Sequence, residues 1–235
     1  MSDISTLDHI VNTKAAKDGF VRTRWWWIRH APVTGHGGRI YGQEDYPADV
    51  SDAATFAALA ALLPAQPVWV TSHLRRTRET ANAILSARTS DGADIVASAS
   101  HVVEPAIAEQ HVGAWHGLTA DELSAARGIV QDGFDLWPAS ERPPAGESFL
   151  DVIARVGPAV TRLTRAHHGR DIVAVAHAGS IRAALAFALG IEAERVLSFA
   201  IDNCSLTRLD HIDNGDRSAW RIVAVNRPPK VSPSL

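Results

Sequence analysis

Two rhythms of apolar residues alternate along this chain: short unbroken runs and stripes at helical spacing. Val21 to Arg29 is the first run, and its lack of polar alternation predicts a strand buried on both faces, with Trp25, Trp26 and Trp27 as strand core. Val68-Trp69-Val70 and Ile172 to Ala176 read the same way, Val102-Val103 makes a weaker strand, and Ser205 to Leu209 and Trp220 to Val225 predict the last two. Asp52 is placed to cap a helix through Phe56, Leu59, Leu62 and Leu63, which Pro64 ends. Leu74, Thr77, Ala81, Ile84 and Leu85 share one helical face, and the first turn of that helix carries Arg75, Arg76 and Arg78. Thr119, with Glu122 three residues on, marks a further helix start. Phe149, Val152, Ile153, Val156, Val160 and Leu163 form the apolar side of a long helix within Glu147 to His168, and a helix follows His177-Ala178-Gly179-Ser180 through Leu189. Strands alternating with helices predict an α/β fold, a three-layer α/β/α sandwich on a mostly parallel central sheet.

The pattern also divides the chain. Residues 1–20 are polar and read as an N-terminal extension with at most a short helix, 21–226 as the folded domain, and 227–235 as a loose C-terminal tail. Glu104 to Pro144 is long and irregular apart from the Thr119 helix, and such insertions usually carry function. At 235 residues one large domain suffices. A net charge of -3 with interspersed signs leaves no basic stripe for nucleic acid. A single cysteine, Cys204, excludes an intrachain disulfide framework and fits a reducing compartment. No stretch has the length of a membrane span, and Met1 to Lys17 lacks the layout of a secretory signal, so the expected location is the cytoplasm. The oligomeric state is not legible, a dimer being one option.

Candidate chemistry sits where two buried runs end. Arg29-His30-Ala31-Pro32 and His177-Ala178-Gly179-Ser180 each deliver a histidine to a strand end, and if the strands are parallel neighbours both imidazoles meet at one carboxyl edge of the sheet. Each histidine taken singly is as readily a satisfied strand-end residue. Arginine offers a planar fork matched to phosphate oxygens, a neutral imidazole is a nucleophile toward phosphorus, and the helix start after His177 suits an anion.

Four segments then resemble, in order, the signatures of the histidine phosphatase superfamily, the phosphoglycerate mutase-like fold. They are Arg29-His30, Ser72 to Ala81, Glu109 to Gly117, and Ala176 to Arg182, and with their flanks they span roughly residues 21 to 210. The resemblance implies a phosphohistidine intermediate, no cofactor and no metal. Carried over by position, it makes His30 the nucleophile, Arg29, Arg76 and His177 the phosphate pocket, and Glu109 the general acid, with His177 also counted in the catalytic set. Arg75 and Arg78 are left as solvated charges. His36, Arg39 and Trp115 are candidate substrate contacts, Trp115 and Trp137 being as readily structural. For attack in its neutral form, His30 should donate its other ring nitrogen's proton to a backbone carbonyl.

The short Gly113-Ala114-Trp115-His116-Gly117 turn is similar to the phosphatase branch, near α-ribazole phosphatase, and predicts hydrolysis of a small-molecule phosphomonoester. Alternatives are mutase-type phosphoryl transfer, a catalytically weak phosphate-binding regulator, and a metallohydrolase, which eleven histidines invite but no His-Glu-x-x-His helix supports. The chain departs from the family after the nucleophile. Ala31 replaces a usual glycine, Val33 a hydroxyl residue and His36 an asparagine, so Thr34 or His36 would have to supply lost phosphate contacts.

Overall fold

The computed structural model describes residues 19–88, 100–128 and 138–229. The N-terminal extension up to Asp18, Trp137 and the tail from Lys230 lie outside them.

Six strands form one sheet: β1 (Val21–Arg29), β2 (Val68–Thr71), β3 (His101–Val103), β4 (Asp171–Ala176), β5 (Leu206–Asp213) and β6 (Ser218–Arg227). Their order is β3-β2-β4-β1-β5-β6. The four strands from β3 to β1 run parallel, while β5 is antiparallel to β1 and β6 antiparallel to β5. The last two strands are longer than their apolar runs, because antiparallel partners tolerate polar positions on a half-solvated face. β6 reaches Arg227, paired with Leu206, one residue past the expected end of the domain.

Among the described residues there are six helices: α1 (Ala53–Leu62), α2 (Arg75–Ser86), α3 (Ala120–Arg127), α4 (Phe149–Ala166), α5 (Ala178–Leu189) and the short α6 (Ala193–Leu197). Their starts follow local chemistry. Asp52 accepts from the Thr55 amide, and Thr119 with Glu122 and Ser148 with Asp151 form reciprocal capping boxes.

The two-residue period of the strands sorts their side chains into two cores. Trp25, Trp27, Val70, Ile172 and Ala174 meet α4 and α5 on one side, and Ile28, Trp69, Val173 and Val175 meet α1 and α2 on the other. This is the expected three-layer sandwich. Trp25 and Trp27 are fully buried and stacked at 5.0 Å, and the Trp25 indole N–H donates to Thr164 Oγ1 at 2.9 Å. Trp26 faces the other layer, where its indole N–H donates to Asp171 and Arg208 covers its ring at 4.4 Å.

Candidate active site

β1 and β4 are parallel neighbours in register, Arg29 opposite Ala176, so both strands end at the same edge. The His30 amide donates to Ala176 O at 2.9 Å, and the imidazoles of His30 and His177 lie 5.1 Å apart, both buried. His30 Nδ1 lies 2.7 Å from Ala31 O. A carbonyl only accepts, so Nδ1 carries the proton and Nε2 keeps its lone pair. Burial, reinforced by the positive charge of Arg76, pushes the His30 pKa down to about 3, which keeps the ring neutral at ordinary pH. His177 is held well below the usual histidine range, by burial first and then by His30 and Arg76. Its Nε2 is 2.8 Å from Ser72 Oγ, and a Ser72 hydroxyl donating there leaves Nδ1 as the protonated nitrogen.

The two arginines are braced by backbone. Arg29 Nη1 donates to Ile201 O at 2.6 Å; Arg76, fully buried, donates to Gly42 O and Glu44 O, both at 2.7 Å. Each keeps its Nε buried without a partner, as His177 keeps Nδ1. Buried donors left unpaired are costly, so three of them around one neutral imidazole mark a seat for an acceptor-rich group. Tyr41 lies with its ring 5.2 Å beneath the Arg76 guanidinium.

Glu109 comes to the same edge from the loop before a 3-10 turn, Gly113–Trp115. Its Oε1 accepts from the amides of Gln110 at 3.0 Å and Gly179 at 3.1 Å. The anion served by the start of α5 is therefore the Glu109 carboxylate, a use the sequence reading did not foresee. Gly179 is a necessity there: a Cβ on it would lie 2.3 Å from Oε1.

The site residues expected from the sequence divide cleanly. His30, His177, Arg29, Arg76 and Glu109 are brought to one edge. His36 reaches the cluster only through Tyr41, with ring centroids 5.0 Å apart, while its Nδ1 bonds Arg39 O at 3.1 Å. Arg39 is turned to the insertion, donating to Gly117 O and Glu122. Trp115 is buried with Val112 and Leu123 in a small core of its own, beneath Arg127 at 5.8 Å, so it packs the insertion and does not line the cleft.

Comparison with known proteins decides the family. The model of the histidine phosphatase superfamily (branch 1) matches residues 25–227. The chain belongs to that superfamily. Phosphoryl transfer through a histidine is general to it. The chain is 35% identical over 178 residues, 70% of its length and 73% of the relative's, to glucosyl-3-phosphoglycerate phosphatase from Mycolicibacterium vanbaalenii. A Serratia proteamaculans protein named probable phosphoglycerate mutase is 27% identical over 82% of this chain and 85% of its own. Among solved structures, a mycobacterial glucosyl-3-phosphoglycerate phosphatase superposes with a TM-score of 0.71 at 28% identity, covering 88% of this chain and 99% of that one. The α-ribazole phosphatase of Shigella flexneri, 22% identical, shares the fold with a TM-score of 0.67 over 90% of this chain and 100% of its own.

The departures from the family after His30 now have structural meanings. Ala31 is fully buried and its amide donates to Thr80 Oγ1 at 2.9 Å, which ties the loop to α2. Val33 pairs with Ala48 in an isolated antiparallel bridge. Thr34 is exposed, and its amide donates to Pro47 O.

Several contributors escaped the sequence reading. Asn203 donates to His30 O at 2.7 Å and the Cys204 amide to Arg29 O at 3.0 Å, so the turn before β5 holds the Arg29-His30 pair from behind. Arg155 on α4 carries the Glu109 loop on three carbonyls, Ala106, Ala108 and Glu109, at 2.6 to 3.0 Å, and pairs with Glu147. Both act through tertiary contacts that no local motif announces, although Glu147 and Arg155 do face one side of a helix start at a spacing of eight.

Proposed function

We propose that this protein is a phosphomonoesterase that hydrolyses a small-molecule phosphate ester through a phosphohistidine on His30. The observation that carries the reading is the neutral His30, proton fixed on Nδ1 by Ala31 O, beside the buried unpaired donors of Arg29, Arg76 and His177. Phosphoryl transfer spreads charge over three equatorial oxygens and is catalysed mainly by positioning and electrostatic stabilisation. Arg29, Arg76 and His177 supply those donors. His30 Nε2 attacks phosphorus as the ester P–O bond breaks, and Glu109, protonated on Oε2, gives its proton to the leaving alkoxide. A water molecule then attacks the phosphohistidine, its proton passes to Glu109, the P–N bond breaks and phosphate leaves with His30 neutral again.

The chemistry asks for no metal ion, and we read the enzyme as metal-independent and cytoplasmic. Activity should persist in EDTA. The decisive experiment is a panel of phosphomonoesters offered to wild type and His30→Ala, with intact-protein mass spectrometry of a quenched reaction. Turnover with one phosphoryl group on His30 in the wild type, and neither in the variant, is the expected result; turnover retained in His30→Ala removes the nucleophile.

The mutase relative favours a second reading, in which the phosphoryl group returns to the bound alcohol. Mutase and phosphatase share a pocket and differ in whether water reaches the phosphohistidine. Incubation with 3-phosphoglycerate, with and without the 2,3-bisphosphate, separates them, and isomerisation faster than phosphate release would choose the mutase.

A further inference from the structure

Beside the charged cluster lies a cleft of about 280 Å³. It shares Tyr41, Gly42, Glu109 and Gly179 with the surroundings of His30, so it begins where a leaving group bound for the Glu109 proton would sit. Its walls are apolar side chains from separate parts of the chain: Ile40, Val112, Phe149, Ala178 and Leu197.

Two of the polar side chains that face this cleft are tied to the protein through one nitrogen each. Gln110 Nε2 donates to Glu147 O at 2.6 Å, and Arg182 Nε donates to Phe199 O at 2.8 Å. The Gly179 amide is taken by Glu109. A hydroxyl group moved from water onto such walls loses its hydrogen bonds, whereas a methylene or an aromatic ring gains by leaving water. A glucosyl group, named in the substrate of the mycobacterial relatives, would bring hydroxyls against Ile40, Val112 and Leu197, whose side chains offer no hydrogen-bond partner.

We infer that the alcohol half of the substrate is a compact apolar group, alkyl or aryl, seated in the cleft between Ile40, Val112, Phe149 and Leu197. The inference rests on the phosphomonoesterase reading above and names the substrate class of that same site.

A homologous series of linear alkyl phosphates from ethyl to butyl tests it, because leaving-group basicity changes little along the series while buried length grows. Each added methylene should raise kcat/KM roughly 4-fold until the cleft is filled, and butyl phosphate should exceed glucose 6-phosphate and glycerol 3-phosphate. Leu197→Asn and Ile40→Asn should each lower the butyl-to-ethyl ratio of kcat/KM, a readout that a general loss of folded enzyme does not move. A flat series, or a sugar phosphate preferred over butyl phosphate, overturns the inference and leaves the phosphomonoesterase reading standing. Hydrolysis of no ester at all, with His30 never phosphorylated, removes that reading and the inference with it.

Discussion

The proposed acid shows how much of this site depends on single atoms. Glu109 Oε1 is held by the amides of Gln110 and Gly179, which leaves Oε2 to exchange a proton with substrate. Glu109→Gln keeps the side chain's size and removes the exchangeable carboxyl proton. It should lower kcat/KM for alkyl phosphates by roughly 10² to 10⁴-fold, and lower it much less for p-nitrophenyl phosphate, whose leaving group needs little protonation. Equal losses of kcat/KM on both substrates would remove Glu109 as the acid for the leaving group. Gly179→Ala probes the same contact from the other side. An added methyl 2.3 Å from Oε1 must displace the carboxylate, while alanine in a helix start is not in itself unfavourable. At least a tenfold fall in kcat is expected, with global stability within about 1 kcal/mol of wild type by denaturant titration. A parallel loss of stability and activity would mean that the glycine serves packing.

At the scale of elements, the sheet edge supplies His30, His177 and Arg29, and α2 supplies Arg76, but Glu109 sits on a loop that needs separate support. Arg155 gives it: one guanidinium bridges three loop carbonyls and the Glu147 carboxylate, whose other contact is the His111 amide. Gly113 and Gly146 let the two arms of this loop system touch, since a Cβ on Gly113 would lie 2.0 Å from Pro144 O. Arg155→Met keeps much of the apolar stem and removes the donors. It should cost about 2 kcal/mol, the range of a lost charge-assisted hydrogen bond, and should reduce kcat for alkyl phosphates far more than KM, because the phosphate seat itself is untouched. Rising KM with unchanged kcat would place Arg155 in substrate binding.

What the sequence made legible follows from the same division. Strands and capped helices have short-range signatures, so Val21–Arg29, Asp52 and the Thr119 and Ser148 caps were readable or nearly so, and the strand-end histidines needed only the parallel pairing of β1 with β4. Tyr41, Arg155 and Asn203 act across 35 to 173 positions of chain separation, distances over which one sequence carries no periodicity. Trp115 stood open between two readings for a related reason. An aromatic in an insertion is equally suited to ligand or core, and only the contacts with Val112 and Leu123 decide.

For the whole molecule, the cost of the site should appear as a dependence of stability on pH. His30 has a pKa of about 3 when folded, against about 6.5 for a histidine in an unfolded chain, and His177 is depressed in the same direction. Between these values the unfolded chain binds more protons than the native one. The stability that His30 contributes is therefore fully present above about pH 6.5 and falls as pH drops toward 3, on the order of 1.4 kcal/mol per pH unit well inside that window, and His177 acts in the same direction. Carboxylates join the titration below about pH 5, so the interval from 6.5 to 5 isolates the histidines best. Denaturant midpoints measured across that interval should fall for wild type and fall less steeply for His30→Asn, which has no proton to gain on unfolding. Inorganic phosphate should flatten the wild-type slope as well, because an anion against Nε2 of His30 and Nδ1 of His177 favours their protonated forms and raises the native pKa values toward the unfolded ones. A slope unaltered by both the substitution and phosphate would mean that the imidazoles already carry their protons in the folded protein, and that His30 is not the neutral nucleophile its bond to Ala31 O makes it.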